Sequence, residues 1–343
     1  MPPFPAKLGV ILFNLGGPET LADVEPFLEN IFSDPDIIPL PIPGIMRRWI
    51  ARRIAASRGN HAREHYAAIG GGSPLLKRTA EQAAALERLL RKETQREVFV
   101  RMGMRYWRPF VRESIEEFHD KGITDVFLLP LYPHYSVTSS GSSFGDWKRT
   151  HAAYAGYVMG SRARHAKPGN VFRVRSVKDF HAQHSYIAAL SEVIDEGAGR
   201  FSAGERKSLE FLFSAHGTPL SVAERGDPYQ AHIRASIAAV MQLRNNDYPH
   251  STSFQSRVGP MKWLRPYTTD TLRSLGARGV RNLLVIPISF VSDHVETLFE
   301  LNIEARAIAE QAGIAHYEVT PGLNDRARFI TALAEIVRSR YSI

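Results

Sequence analysis

Short runs of apolar, β-branched and aromatic residues alternate along the chain with longer stretches where apolar side chains recur every three or four positions. Eight runs read as strands: 8–15, 97–103, 125–132, 171–174, 209–215, 251–255, 282–290 and 315–319. Helical patterns lie between most of them. In 80–91, Leu86, Leu89 and Leu90 share one side and charged residues the other. Thr20 followed by Asp23 precedes the periodic set Leu21, Val24, Leu28 and Ile31, which reads as a capped amphipathic helix. Strands alternating with helices predict parallel sheets with helices on both faces.

The eight strands divide into two sets of four that resemble each other weakly. The first strand of each set ends in a Gly-containing turn closed by proline: Asn14-Leu-Gly-Gly-Pro18 and Ser214-Ala-His-Gly-Thr-Pro219. The third ends in aromatic and hydroxyl residues: Tyr132-Pro-His-Tyr-Ser136 and Pro287-Ile-Ser-Phe-Val-Ser-Asp-His294. Two α/β lobes facing each other across a cleft account for this, although any parallel sheet also places Gly and Pro after its strands.

Chemistry concentrates at two strand ends. The run Phe211-Leu-Phe-Ser-Ala stops at His216, Gly217 and Pro219. The run 283–290 stops at Val-Ser-Asp-His-Val-Glu296. The carboxyl edge of an open α/β sheet is where ligands bind. His216, Asp293, His294 and Glu296 therefore meet in one expected cleft, and imidazole with carboxylate serves proton transfer or divalent-metal binding. Glu296, Glu300 and Glu304 follow at i, i+4, i+8, a plausible path for protons or metal ions. The plainer reading makes Asp293 and Glu296 a capping box and the glutamates a solvated stripe; for His216 it is a buried, hydrogen-bonded histidine.

Residues 37–50 are apolar but broken by Pro39, Pro41, Pro43 and Gly44, which excludes an interior helix or central strand there. After Gly44, Ile45, Met46, Trp49, Ile50 and Ile54 interleave with Arg47, Arg48, Arg52 and Arg53. That pattern fits a helix on a membrane surface and, equally, an amphipathic helix packed on the protein's own core.

With 343 residues the chain has room for two domains, and 44% hydrophobic residues supply a substantial core. No apolar run reaches the ~18 residues of a membrane span. The N-terminus shows no signal or transit pattern, so a cytoplasmic protein is expected. There are no cysteines, which excludes disulfides, thiolate metal sites and cysteine-ligated iron–sulfur clusters. The net charge of +8 favours an anionic partner. No nucleic-acid-binding motif accompanies it, so nucleic acid is not expected. Gly70-Gly-Gly-Ser-Pro74 offers backbone N–H groups to an anion but lacks the Lys-Ser/Thr of a P-loop, and Gly141-Ser-Ser-Phe-Gly145 reads as a loop.

Eight segments in this order resemble ferrochelatases, which insert ferrous iron into a porphyrin at the end of haem synthesis: Asn14-Leu-Gly-Gly-Pro-Glu-Thr20, Ile69-Gly-Gly-Gly-Ser-Pro74, Met104-Arg-Tyr106, Tyr132-Pro-His-Tyr-Ser136, Phe213-Ser-Ala-His216, Arg225-Gly-Asp-Pro-Tyr229, Gln255-Ser-Arg-Val-Gly-Pro-Met261 and Ser292-Asp-His-Val-Glu-Thr-Leu298. The resemblance covers nearly the whole chain. It implies a chelatase-like α/β fold: two similar Rossmann-like lobes, each a four-stranded parallel sheet flanked by helices, with a porphyrin cleft between them. The expected lobes are 1–175, carrying the lip at 37–58 and joined by a C-terminal helix at 322–343, and 176–321.

The resemblance also implies roles. His216 and Glu296 become catalytic, and His216, Glu296 and Glu300 meet the metal. Asp293 and His294 stand behind them. Arg58, Tyr66 and Ser73 fall where the family contacts porphyrin propionates. Leu15, Tyr106, Trp263 and Phe290 fall where it lines the macrocycle, and Arg105 and Tyr132 are further expected porphyrin contacts. Fe²⁺ and protoporphyrin IX are the implied substrates, with no permanently bound cofactor and no [2Fe–2S] cluster. Peripheral attachment to the cytoplasmic face of the inner membrane follows from a large, flat, poorly soluble substrate. His61 stands where some relatives carry Lys, and Ser57 breaks a basic pair, so the propionate grip differs here. Two other readings stay open. A phosphatase-like hydrolase would want Arg-His-Gly, whereas Ala215 precedes this histidine. A non-catalytic two-lobed haem- or metal-binding protein would ordinarily be exported.

Overall fold

A computed structural model describes residues 1–35, 43–162, 172–257, 259 and 261–341. Pro39 and Pro41 of the lip, position 171 of the fourth expected strand, Val258 and Pro260 of one motif and the last two positions of the expected C-terminal helix lie outside the described residues.

Strands β1 (Lys7–Asn14), β2 (Glu97–Met104), β3 (Asp125–Pro130) and β4 (Arg173–Ser176) form a parallel sheet in the order β2-β1-β3-β4. Strands β5 (Leu209–His216), β6 (His250–Gln255), β7 (Asn282–Pro287) and β8 (His316–Val319) form a second, ordered β6-β5-β7-β8. The same order occurs twice, so the weak sequence repeat corresponds to a repeated topology. Every residue of β3 and β7 is buried, which is why these strands read as continuous apolar runs.

Helices α1 (Val24–Ser33), α2 (Gly44–Ala68) and α3 (Leu75–Thr94) cross from β1 to β2, α4 (Val111–Asp120) from β2 to β3, and α5 (Ser142–Arg162) from β3 to β4. Helix α6 (His184–Ala198) links the sheets. Helices α7 (Leu220–Glu224) and α8 (Tyr229–Leu243) cross from β5 to β6, and α9 (Thr268–Ala277) from β6 to β7. After β7 comes a π-helical segment, Glu296–Ala305, running into α10 (Arg306–Gln311). Helix α11 (Ala327–Arg338) closes the fold against α3 and α6. The start of the first crossover is as the sequence predicts: the Asp23 carboxylate accepts from the Thr20 amide at 2.9 Å and its hydroxyl at 2.8 Å.

The period-two alternation of the strands divides the core. Leu8, Val10 and Leu12 of β1 face a large cluster that also takes Phe211 and Phe213 of β5, Leu284 and Ile286 of β7 and Phe329, Leu333 and Val337 of α11. Ile11 and Phe13 face the other way, onto Phe118 and Trp147. Leu283 and Val285 pack with Leu301 and Tyr317. The inner faces of both sheets thus share one core.

Several boundaries differ from the sequence reading: β3 stops at Pro130, two residues short, and the C-terminal helix is confined to Ala327–Arg338. Strand β7 stops at Pro287, because a turn closes from the Phe290 amide to the Pro287 carbonyl at 3.2 Å and lifts Phe290 out of the sheet. Strand β4 lies two positions later than expected. In α2 the buried residues are Ala51, Ala55 and Gly59, small and at i, i+4, i+8, with Tyr66 farther along, and the helix packs on α1. Ile45, Met46 and Trp49 are left 89%, 51% and 62% exposed.

Candidate functional site

In both sheets the strand order reverses between the first and third strands, and in open α/β sheets that switch point opens a crevice at the strands' carboxyl ends. His216 is the last residue of β5, paired in register with Gln255 of β6. Its backbone is pinned at both ends: the amide donates to Ser289 Oγ at 2.9 Å, and the carbonyl accepts from the Tyr229 hydroxyl at 3.0 Å. Its ring Nδ1 lies 2.5 Å from the Gly217 carbonyl. A carbonyl only accepts, so Nδ1 carries the proton and Nε2 presents a lone pair. Gly217 admits this geometry because a Cβ there would sit 2.8 Å from the Gln255 carbonyl oxygen and 3.4 Å from the Trp263 ring.

Nε2 of His216 faces Glu296 Oε1 at 3.6 Å, and Nε2 of His294 faces Oε2 at 3.6 Å. These are ion-pair distances, longer than hydrogen bonds, and Glu296 Oε2 is buried without a hydrogen-bond partner. His294 Nδ1 donates to the Ser292 carbonyl at 3.1 Å, so both imidazoles spend their Nδ1 proton on backbone and turn Nε2 to the same carboxylate. Burial pushes the Glu296 carboxyl up, but His216 and His294 outweigh it, and the net direction is downward. The capping-box reading of Asp293 and Glu296 does not hold. Asp293 instead accepts from the Gly322 amide at 2.9 Å and from Asn324 Nδ2 at 2.8 Å, bracing the loop that carries His294. Glu296 is freed to face the histidines.

The π-helical geometry, rare and frequent at functional sites, begins at Glu296. Glu300 Oε2 accepts from Ser256 Oγ and, at 3.2 Å, from Gln255 Nε2, which also donates to the Glu296 carbonyl at 3.0 Å. Ser256 adopts a left-handed conformation, φ 65°. Burial first, then the Glu296 charge, push the Glu300 carboxyl up to about 8. Glu304, less enclosed, is also raised by burial. The acidic row is therefore graded: an anion at Glu296, a neutral acid at Glu300, and Glu304 farther out. Tyr66 of α2 joins this group, its phenol raised by burial and then by Glu296 and Glu300.

The remaining predicted residues divide between two places. Phe290 lies between the histidines, with ring centroids 6.2 Å from His216 and 4.5 Å from His294. Leu15 follows β1, its carbonyl accepting from the Tyr106 amide at 2.9 Å. Ser73 packs on Gly17, where a Cβ would meet its own Cβ at 2.6 Å. The glycine segment is no anion cradle: the amides of Gly70, Gly71 and Ser73 go to the carbonyls of Ala67, Tyr66 and Pro18. Arg58 lies over the Phe32 ring at 5.7 Å. Arg105 and Tyr106 bind a different centre, the buried Asp34. Its Oδ2 takes Arg105 Nη2 at 2.8 Å, the Tyr106 hydroxyl at 2.6 Å and Ser142 Oγ at 2.7 Å. Both line a cavity of about 1200 Å³ whose lining includes neither His216 nor Glu296. Tyr132 belongs with this second group, its phenol raised by burial against a hydrogen bond to Ser143 and the charge of Arg105.

Sequence reasoning missed Asp34 and Ser142, and also Tyr229, Ser289, Gln255 and Ser256, which hold His216 and Glu300. Gln255 had a usable signal, since it ends the strand next to that of His216. Tyr229 and Ser256 stood inside motif segments without a role, and Asp34, Ser142 and Ser289 are single polar residues at helix ends and a turn, with no periodic mark.

The sequence model of a family described as Ferrochelatase matches residues 7–341. A ferrochelatase of Cyanothece sp. (strain PCC 7425) is 42% identical over 337 residues, 96% of this chain and 82% of the relative. One of Synechococcus sp. (strain JA-2-3B'a(2-13)) is 43% identical over 334 residues, 97% of this chain and 92% of the relative. Among solved structures, SirB from Bacillus subtilis with Fe³⁺ aligns with TM-score 0.54 at 10% identity, over 98% of this chain and 96% of that one. At that identity the likeness concerns the fold.

Proposed function

The chain belongs to the ferrochelatase family, whose members insert ferrous iron into a porphyrin in haem biosynthesis, and from that premise we propose that insertion takes place at His216 and Glu296, on protoporphyrin IX. The observation that carries the proposal is the pair of imidazoles with Nδ1 tied to backbone and Nε2 turned to one carboxylate.

Two nitrogen protons leave a free-base porphyrin for each ion inserted. A rigid cleft that holds the macrocycle bent turns its lone pairs toward the incoming ion, favouring the transition state over the flat ground state. His216 Nε2 accepts a porphyrin proton, and the imidazolium so formed is stabilised by Glu296. Because the Nδ1 positions are taken, Nε2 and the carboxylates are the places left for that proton. Glu296 passes it toward Glu300, whose raised pKa suits it to hold a proton near neutral pH and release it outward. The same carboxylates offer Fe²⁺ oxygen ligands in small number, which keeps the substrate ion exchangeable. Trp263, Phe290 and Tyr66 form the walls next to the macrocycle, with Leu15 and Ser73 at the end of β1. Arg58 is the cationic partner for the propionates, with Tyr66 and Ser73 beside it. The segments 1–175 with the C-terminal helix, and 176–321, act as the two sides of the cleft.

Among the described residues no helix is long and apolar enough to cross a membrane. We read the exposed Ile45, Met46 and Trp49 with their arginines as a lip that rests on the cytoplasmic face of an anionic membrane.

The test is spectroscopic. Purified protein, Fe²⁺ or Zn²⁺ and protoporphyrin IX, mixed without oxygen, should convert free-base bands to metalloporphyrin bands over many turnovers, and faster than with coproporphyrin. Stoichiometric binding without turnover would support a carrier, and a preference for coproporphyrin would overturn the substrate assignment.

A further inference from the structure

Away from the cleft, Asp179, His181 and His232 bring one carboxylate oxygen and two ring nitrogens within 4.8 Å of one another. We propose that these three side chains form a second metal site, for a divalent late transition metal such as zinc, that ties the segment after β4 to helix α8.

Asp179 and His181 lie between β4 and α6, and His232 lies in the first turn of α8. The two imidazoles are stacked, centroids 3.8 Å apart and planes 10° from parallel. Asp179 Oδ1 is 2.6 Å from His181 Nδ1, a contact spanned by a proton that a metal ion replaces. Two donors on one tetrahedral zinc stand about 3.4 Å apart, given Zn–N bonds of about 2.0–2.1 Å. Side-chain rotation therefore closes the group.

The surroundings are built around these rings. Ser236 Oγ donates to the His181 carbonyl at 2.7 Å and also meets the ring Nε2 of the buried His134 at 2.9 Å. The Tyr135 amide donates to His232 Nδ1 at 3.3 Å. Asp179 also lines a surface cleft of about 500 Å³ together with Lys178 and Arg340, so solvent and ions can reach its carboxylate. One carboxylate beside two cationic side chains is a poor host for calcium or magnesium, which want several oxygens. Two imidazoles favour late transition metals and place zinc and copper above ferrous iron. The first turn of α8 also carries Tyr229, whose hydroxyl holds the His216 carbonyl, so one helix turn connects the two groups.

The test uses full-length protein carrying His216→Ala and Glu296→Gln, which removes two of the cleft's three expected ligands. Equilibrium dialysis with Zn²⁺ should leave one ion per chain. His181→Ala and His232→Gln, added separately, should each weaken binding at least tenfold. Zinc should raise the melting temperature of the double variant, as a ligand of the folded state does, and fail to do so once His232→Gln is added. Circular dichroism confirms folding, and if one added variant does not fold the other decides. No zinc bound by the double variant, or binding indifferent to the folded histidine variant, would overturn the site.

Discussion

His216 Nε2 stands 3.6 Å from Glu296 Oε1, close enough for charge to act and too far for a hydrogen bond. A neutral His216 has nothing to donate to that carboxylate, since its single ring proton is on Nδ1. A proton on Nε2 would turn the contact into a direct charge pair. That positive charge is also what favours the ionised form of Glu296 against burial.

Replacing His216 by Ala should reduce turnover by at least about 10²-fold, because loss of a general base typically costs about 10²–10⁴. Porphyrin binding, followed by fluorescence quenching, should stay near normal, since Trp263 and Phe290 remain. A variant keeping more than about a tenth of wild-type turnover would refute the base assignment.

Glu296 and Asp293 should separate function from stability. Glu296→Gln keeps shape and removes the anion beside both imidazoles, so turnover should collapse while the melting temperature stays close to wild type. Asp293→Ala removes the acceptor for Gly322 and Asn324. It should destabilise the protein by about 2 kcal/mol, in the range for hydrogen bonds to a charged group. Denaturant titration of both variants checks this; equal destabilisation would return Glu296 to a capping role.

Glu300 predicts a pH dependence. Its carboxyl, ordinarily near 4.5, is pushed up to about 8 by burial and by Glu296. Between those values the folded protein holds a proton that the unfolded chain has released. The stabilisation is therefore full below the lower value, shrinks as pH rises, and is gone above about 8. Glu300→Gln removes this slope, so melting temperatures measured from acid to alkaline pH should fall less in the variant than in wild type. Parallel curves would mean that Glu300 is not the proton holder. The wild-type rate should also show a limb centred near 8 that the variant lacks.

Most of the frame was legible because buried parallel strands and amphipathic helices leave periodic marks. The two sets of four strands and the strand-end position of His216 followed from apolar runs ending in Gly and Pro. What did not follow was direction. Spacing alone made Asp293 and Glu296 a capping pair, whereas the loop turns Asp293 onto Gly322 and frees Glu296. Spacing also left α2 undecided. In its first half the buried stripe is Ala51, Ala55 and Gly59, residues too small to stand out among the larger apolar side chains that remain exposed. The Asp34 centre that gathers Arg105 and Tyr106 joins residues from three distant segments, a closeness only the fold creates.

The exposed lip makes the last prediction. Ile45 and Trp49 do not pack on the core, so Ile45→Ser with Trp49→Ser should leave folding unchanged and weaken binding to vesicles containing anionic lipid. The arginines contribute by charge, about 1 kcal/mol each near such a surface. Arg52 is already paired with Glu29 at 2.9 Å and Arg48 approaches the same carboxylate at 3.9 Å, so part of that attraction is spent within the protein. Replacing Arg47, Arg48, Arg52 and Arg53 together by Gln should still weaken vesicle binding, and raised salt should weaken wild-type binding in the same way. Turnover with porphyrin dissolved in detergent should be largely spared, because none of these four touches the group around His216. Vesicle binding indifferent to salt and to both sets of substitutions would mean that the lip meets something other than a membrane. Loss of turnover in detergent with vesicle binding intact would make these arginines part of the substrate grip.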